Sequence, residues 1–172
     1  MGNSSVSGTW ARRIAVTVAA TILAGAGLAS SAQASVAQGG VYGTGVVTDD
    51  WGDEGPLSMS SNSHNSVVGL WQAILAADLY LPPEDIDCYF GEQTAAATRL
   101  WQKNHGLDDD GIVGPLTFGK ADNSLYWVGS EIRYSGSHLT LYSMHRTSSG
   151  RWYANGGGST VYFSYTNADF CG

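Results

Sequence analysis

Asp87-Cys88-Tyr89-Phe90-Gly91-Glu92-Gln93-Thr94 and Asp110-Gly111-Ile112-Val113-Gly114-Pro115-Leu116-Thr117 are two versions of one phrase, 23 positions apart. Each reads Asp, any, any, apolar, Gly, any, any, Thr. Ahead of them, Leu70-Trp71-Gln72 recurs as Leu100-Trp101-Gln102. A turn and a helix written twice predict a compact helical module with internal pseudo-symmetry. Two copies are too few for a solenoid, which needs at least three stacked units.

Val68, Trp71, Ile74 or Leu75, and Leu79 fall at helical spacing. A first helix is therefore expected from about residue 65 to 79, capped by Ser63 or Asn65 and stopped by Leu81-Pro82-Pro83. A second is expected from about 92 to 104, with Ala97, Thr98 and Trp101 facing inward and His105-Gly106 as its stop. A short third should run from Pro115 to about Ala121. Trp71 and Trp101 belong to the core. Gln72 and Gln102, at equivalent helix positions, should hydrogen-bond the glycine-containing turns, and Asp87 and Asp110 should cap them.

Beyond Asn123 the apolar period changes from 3.6 to 2. His138 to Tyr142 and Val161 to Thr166 alternate. Glu131 to Tyr134 and Arg151 to Tyr153 are further strand candidates, separated by glycine turns. Residues 124–172 are expected to form an antiparallel meander of three or four strands. Such a unit is marginal alone in water, so it should pack on the helices.

Residues 1–34 read as a secretory signal peptide: Arg12 and Arg13, an apolar run from Ile14 to Leu28, and the small-any-small site Ala32-Gln33-Ala34. A membrane anchor is the alternative, but the run is shorter than the ~20 residues a bilayer needs. Two of the eight Lys and Arg lie in this segment and all 15 Asp and Glu lie after it, leaving a formal charge of −9. So acidic a chain, without a basic stripe, argues against nucleic acid and anionic membrane as partners. Residues 35–62, rich in Gly, Ser and Asp, read as a flexible, mostly irregular acidic leader, with Trp51 either docked on the helical module or free. Cys88 and Cys171, both retained in an oxidising compartment, are expected to form a disulfide; two free thiols are the alternative.

The ordered set Trp71-Gln72, Asp87…Phe90-Gly91…Thr94, Trp101-Gln102 and Asp110-Gly111-Ile112-Val113-Gly114-Pro115…Thr117 resembles the peptidoglycan-binding-like domain, a three-helix module appended to bacterial cell-wall hydrolases. The resemblance covers about residues 63–121. It implies wall anchoring without catalysis, and peptidoglycan or its fragments as partner. Two positions depart from the family: Cys88 replaces a glycine, and Thr98 stands where valine is usual. The whole is expected to be α+β, the helical domain at 63–123 being followed by the β extension.

No catalytic set is legible. His64, His105, His138 and His145 lack zinc-ligand spacing, and no metal or cofactor is expected. Asp108-Asp109-Asp110-Gly111 lacks the alternating ligands of a calcium loop. Glu131 is the only acid inside the expected strands, too little for a glycosidase pair. Binding must then use exposed groups: aromatics for sugar faces, Arg or Lys for carboxylates. Tyr89, Gln93, Arg99, Lys103 and Asn104 are candidates around the first turn and second helix, and Trp152 in a tail also bearing Tyr126, Trp127, Tyr142 and Tyr162. The expected function is a secreted, monomeric, non-catalytic wall-binding protein. The alternatives are a module that binds another secreted protein through its aromatic tail, or a cryptic wall hydrolase.

Overall fold

The structure is a computed structural model that describes residues 35–156 and 158–172. The expected signal peptide lies outside the described residues. The chain is α+β, with helices followed by an antiparallel sheet.

Helix α1, Ser66–Ala77, is buried along its whole length. Its sequence, Ser-Val-Val-Gly-Leu-Trp-Gln-Ala-Ile-Leu-Ala-Ala, has no charged stripe, so it must be covered on every side. Asn65 caps it, its Oδ1 accepting from the N–H groups of Val67 and Val68 at 3.0 Å each. The helix ends before the prolines. Leu79 takes a left-handed conformation (φ 64°), the Tyr80 N–H reaches the Leu75 carbonyl at 2.8 Å, and the Leu79 N–H reaches Ala76 at 3.1 Å. This bonding pattern closes a helix C-terminus without proline. Helix α2, Glu92–Asn104, ends in the same way with Gly106 at φ 73°.

Trp71 of α1 meets Trp101 of α2 edge-on at 5.1 Å and Phe118 at 5.6 Å, the latter from α3, Pro115–Ala121. The Trp71 indole N–H donates to Thr98 Oγ1 at 2.9 Å. That bond gives Thr98 a role valine could not fill: its hydroxyl satisfies the N–H of a buried indole.

The sheet has five strands in sequential order, not three or four: β1 (Leu125–Val128), β2 (Glu131–Ser135), β3 (Thr140–Arg146), β4 (Trp152–Gly156) and β5 (Ser159–Tyr162). The additional strand is β1, a four-residue segment too short to show alternation by sequence. The sheet docks on the end of α1. The N–H groups of His138 and Leu139 satisfy the Ala77 carbonyl at 3.1 and 3.0 Å. Asp78 accepts from the Trp101 indole (2.8 Å), the Tyr134 hydroxyl (2.7 Å) and the Ser137 N–H (2.6 Å).

The segment 35–62 is not a flexible leader. It is mostly irregular, but Val41, Trp51 and Leu57 are fully buried. Trp51 lies between Phe118 (6.3 Å) and Trp152 (5.2 Å), joining helices to sheet. Val41 bonds the backbones of Phe163 and Trp152 at 3.0 Å each. Its apolar residues are spaced without period, which hid their role.

Cys88 and Cys171 are disulfide-bonded across 83 positions. The bond lies against α1 at Gly69, where a Cβ would come within 2.6 Å of the Cys88 sulfur and 2.5 Å of the Phe170 ring. Glycine inside a helix ordinarily costs about 1 kcal/mol relative to alanine. Here Gly69→Ala should instead destabilise by about 1–3 kcal/mol in denaturant unfolding. In a Cys88→Ala/Cys171→Ala background the penalty should shrink. An unchanged penalty would mean that the sulfurs are not what Gly69 accommodates.

Candidate functional site

The repeated phrase folds into two equivalent turns, each held by a glutamine. The Gln72 amide N–H groups donate to Asp87 Oδ1 (2.8 Å), the Tyr89 carbonyl (3.1 Å) and Thr94 Oγ1 (3.1 Å). Its Oε1 accepts from the N–H groups of Asp87 (3.1 Å) and Cys88 (2.8 Å). Gln102 repeats this on Asp110 Oδ1 (3.0 Å), the Ile112 carbonyl (2.9 Å), Thr117 Oγ1 (3.1 Å) and the Gly111 N–H (2.9 Å). Asp87 and Asp110 each accept from the N–H two residues on, at 2.9 and 2.8 Å. Cys88 and Gly111 both have positive φ, 61° and 76°. Cysteine is strained there where glycine is not, so the first turn holds its shape against a local preference.

Each turn opens a cleft at the start of the following helix. The first is about 440 Å³ and includes Asp85, Tyr89, Glu92 and Gln93. The second, about 200 Å³, has Asp108, Ile112, Pro115 and Leu116 at the corresponding places. The duplication has diverged: one cleft is polar and aromatic, the other smaller and partly apolar. Tyr89 is 54% exposed, with His64 edge-on at 6.0 Å. The Gln93 amide donates to Asp85.

The six expected contacts separate. Tyr89 and Gln93 line the first cleft. Arg99, Lys103 and Asn104 are exposed on α2 but do not line it. Arg99 lies over Gly111, its Nε 3.0 Å from where a Cβ would stand. Asn104 donates to the Tyr80 hydroxyl at 2.9 Å. Trp152 is not a surface contact: it is fully buried against Trp51, and its indole donates to Asp50 Oδ2 at 3.1 Å. Alternation along β4 sends it inward and Tyr153 outward. Tyr126, Trp127, Tyr142 and Tyr162 are exposed.

Residues 64–120 match the family described as "Putative peptidoglycan binding domain". The chain is also 35% identical over 108 residues to a Kitasatospora aureofaciens protein named "Uncharacterized protein in bpoA1 3'region", an overlap spanning 63% of this chain and 87% of the relative. Residues 64–120 belong to the peptidoglycan-binding domain family. No solved structure gives a significant match. The peptidoglycan-binding domain therefore contains both clefts and both glutamine clamps. Among the described residues no helix is long and apolar enough to cross a membrane, and no group of three or more His, Cys, Asp or Glu side chains is placed to hold a metal.

Besides Asp78, three buried carboxylates lie outside the sequence reading. Asp50 accepts from Trp152 and pairs with Arg146; Gly43 faces it, where a Cβ would fall 1.9 Å from the Asp50 Cγ. Glu54 accepts from the Tyr165 hydroxyl at 2.6 Å, and Asp122 from the Trp51 N–H at 3.1 Å. Burial pushes Glu54 up to about 8 and Asp122 to about 7, and raises Asp50. For Asp50 and Glu54 the available signal was an acidic, turn-prone stretch around Trp51, which suggests solvent instead; Asp122 carries no such signal.

Two predictions follow from this geometry. Gln72→Leu and Gln102→Leu should each lose about 2–4 kcal/mol in urea unfolding, since each orphans several buried turn groups. A negligible loss at either would mean that the two clamps are not equivalent in energy. The raised carboxyls hold protons in the folded state that the unfolded chain releases near pH 4. Their stabilisation is therefore full below the unfolded values and lost as pH rises through about 7–8. The melting temperature should rise on titration from pH 8.5 to 5.5, and Glu54→Gln should flatten that rise.

Proposed function

We propose that this protein is a secreted, non-catalytic cell-wall protein whose three-helix domain binds peptidoglycan through the cleft of the first turn. The carrying observation is the divergence of the two equivalent clefts within a domain of the peptidoglycan-binding family. Only the first presents an exposed ring, Tyr89, together with polar side chains. Asp85, Asp87 and Glu92 make that cleft acidic, so it favours hydrogen-bond donors: sugar hydroxyls, peptide N–H groups and free amines. Tyr89 supplies a stacking surface for a sugar face. The order of residues 1–34, a positive pair at Arg12 and Arg13, an apolar run and the small-any-small site Ala32-Gln33-Ala34, supports export.

Glu131, the acid considered for hydrolysis, favours binding over catalysis. Its carboxylate accepts from the Ser143 N–H and from Arg133, and these hold its pKa below the ordinary range. A general acid needs the opposite shift.

Removing residues 124–172 is not a clean test of the tail, because it deletes Cys171 and the Tyr134 hydroxyl bound to Asp78. Point changes are preferable. The protein should sediment with purified insoluble peptidoglycan. Tyr89→Ala and Gln93→Ala should each weaken retention about tenfold, and Leu116→Ala in the second cleft should not. Protein left in the supernatant at every salt concentration would sink the reading.

A further inference from the structure

The sheet buries one face and leaves the other open. Ile132, Tyr134, Met144 and Trp152 point inward and are buried. Strand neighbours alternate and cross-strand partners share a face. His145 opposes Tyr153, and Tyr153 opposes Tyr162, so these three form one outward row across β3, β4 and β5. Their rings are continuous: His145 stacks on Tyr153 at 5.1 Å with 21° between planes, and Tyr153 lies 5.6 Å from Tyr162.

Arg151, immediately before β4, places its guanidinium 4.4 Å over the Tyr162 ring. The two ion pairs among the described residues are Arg133–Glu131 and Arg146–Asp50. Arg151 has no carboxylate partner among those residues, and its Nε is buried without a hydrogen bond. An unpaired guanidinium is notable in a chain with 15 acids against eight Lys and Arg. Stacked on a ring, it is ordered before any ligand arrives, and its planar fork suits a carboxylate. The adjoining tyrosine rings suit the apolar faces of sugars.

We propose that this outer face binds a carboxylated saccharide, with Tyr153 and Tyr162 stacking on sugar rings and Arg151 pairing with the carboxylate. The occupant is the muramyl glycan strand of peptidoglycan stripped of its stem peptides, whose lactyl groups then end in free carboxylates. In the intact strand that group is an amide and offers no charge. The choice of polymer rests on the wall-binding reading above; the carboxylate chemistry does not. The first-turn cleft is the wrong place for such a ligand, because Asp85, Asp87 and Glu92 repel it.

The test is titration of the protein with three probes: amidase-stripped muramyl strands, chito-oligosaccharides of similar length, and polygalacturonate. Stripped strands should bind, and chito-oligosaccharides, which lack the carboxylate, should bind about tenfold more weakly. Polygalacturonate, carrying the charge on a different sugar, should also bind more weakly. Arg151→Gln should lose about tenfold on stripped strands, and Arg151→Lys should recover only part. Tyr162→Ala, on the edge strand, gives a second variant should Arg151→Gln fail to fold, with near-UV circular dichroism as the check. Arg151→Gln should sediment normally with intact peptidoglycan, and Gln93→Ala should bind stripped strands normally, so the two sites fail separately. Four results would overturn the proposal: no binding to stripped strands, equal binding to the uncharged chain, preference for polygalacturonate, or wild-type affinity in both Arg151→Gln and Tyr162→Ala.

Discussion

Two buried glutamine amides govern the helical half of the molecule. A turn between helices leaves backbone N–H and C=O groups facing the interior, where water cannot reach them. A primary amide has two donor hydrogens and a two-lone-pair acceptor, so one side chain can answer several such groups at once. Gln72 and Gln102 do this from equivalent places, each backed by an aspartate and a threonine. The first clamp also imposes a left-handed conformation on Cys88. That places its sulfur beside Gly69 and within reach of Cys171.

The remainder of the fold follows from the apolar character of α1. A helix without a polar side must be enclosed, and two neighbouring helices cannot enclose it. The segment before it and the sheet after it complete the cover. Their joints are polar contacts: Asp78 beneath the sheet, Asp50 on the Trp152 indole and Asp122 on the Trp51 backbone N–H. Burying carboxylates is unfavourable unless they accept hydrogen bonds. The raised pKa values of Asp50, Glu54 and Asp122 record how incompletely that requirement is met.

Charge is divided between two exposed regions. The cleft of the first turn gathers acids around Tyr89, and the outer sheet face gathers tyrosines around an unpaired arginine. The two regions therefore favour chemically opposite groups, donors at the cleft and carboxylates at the sheet face. The smaller, partly apolar second cleft shows that one clamped-turn scaffold can present two different surfaces.

Motif spacing made the helical domain legible, because its hydrogen bonds join residues a fixed distance apart in the chain. The helix periods, the glutamine turns and the family all rest on such local patterns. The termination of α1 was misread: proline is visible in a sequence, whereas a left-handed leucine is not. Packing of residues 35–62, burial of Trp152 and the acids at Asp78 and Glu54 were not legible, since their partners lie far away in sequence. Tyr165 meets Glu54, and Tyr134 meets Asp78, only once the sheet has docked. Which tail aromatics face solvent likewise depends on strand register, and register is set by what the sheet covers. Local spacing thus determined the domain and its turns, while long-range packing decided which side chains remain free to meet a ligand.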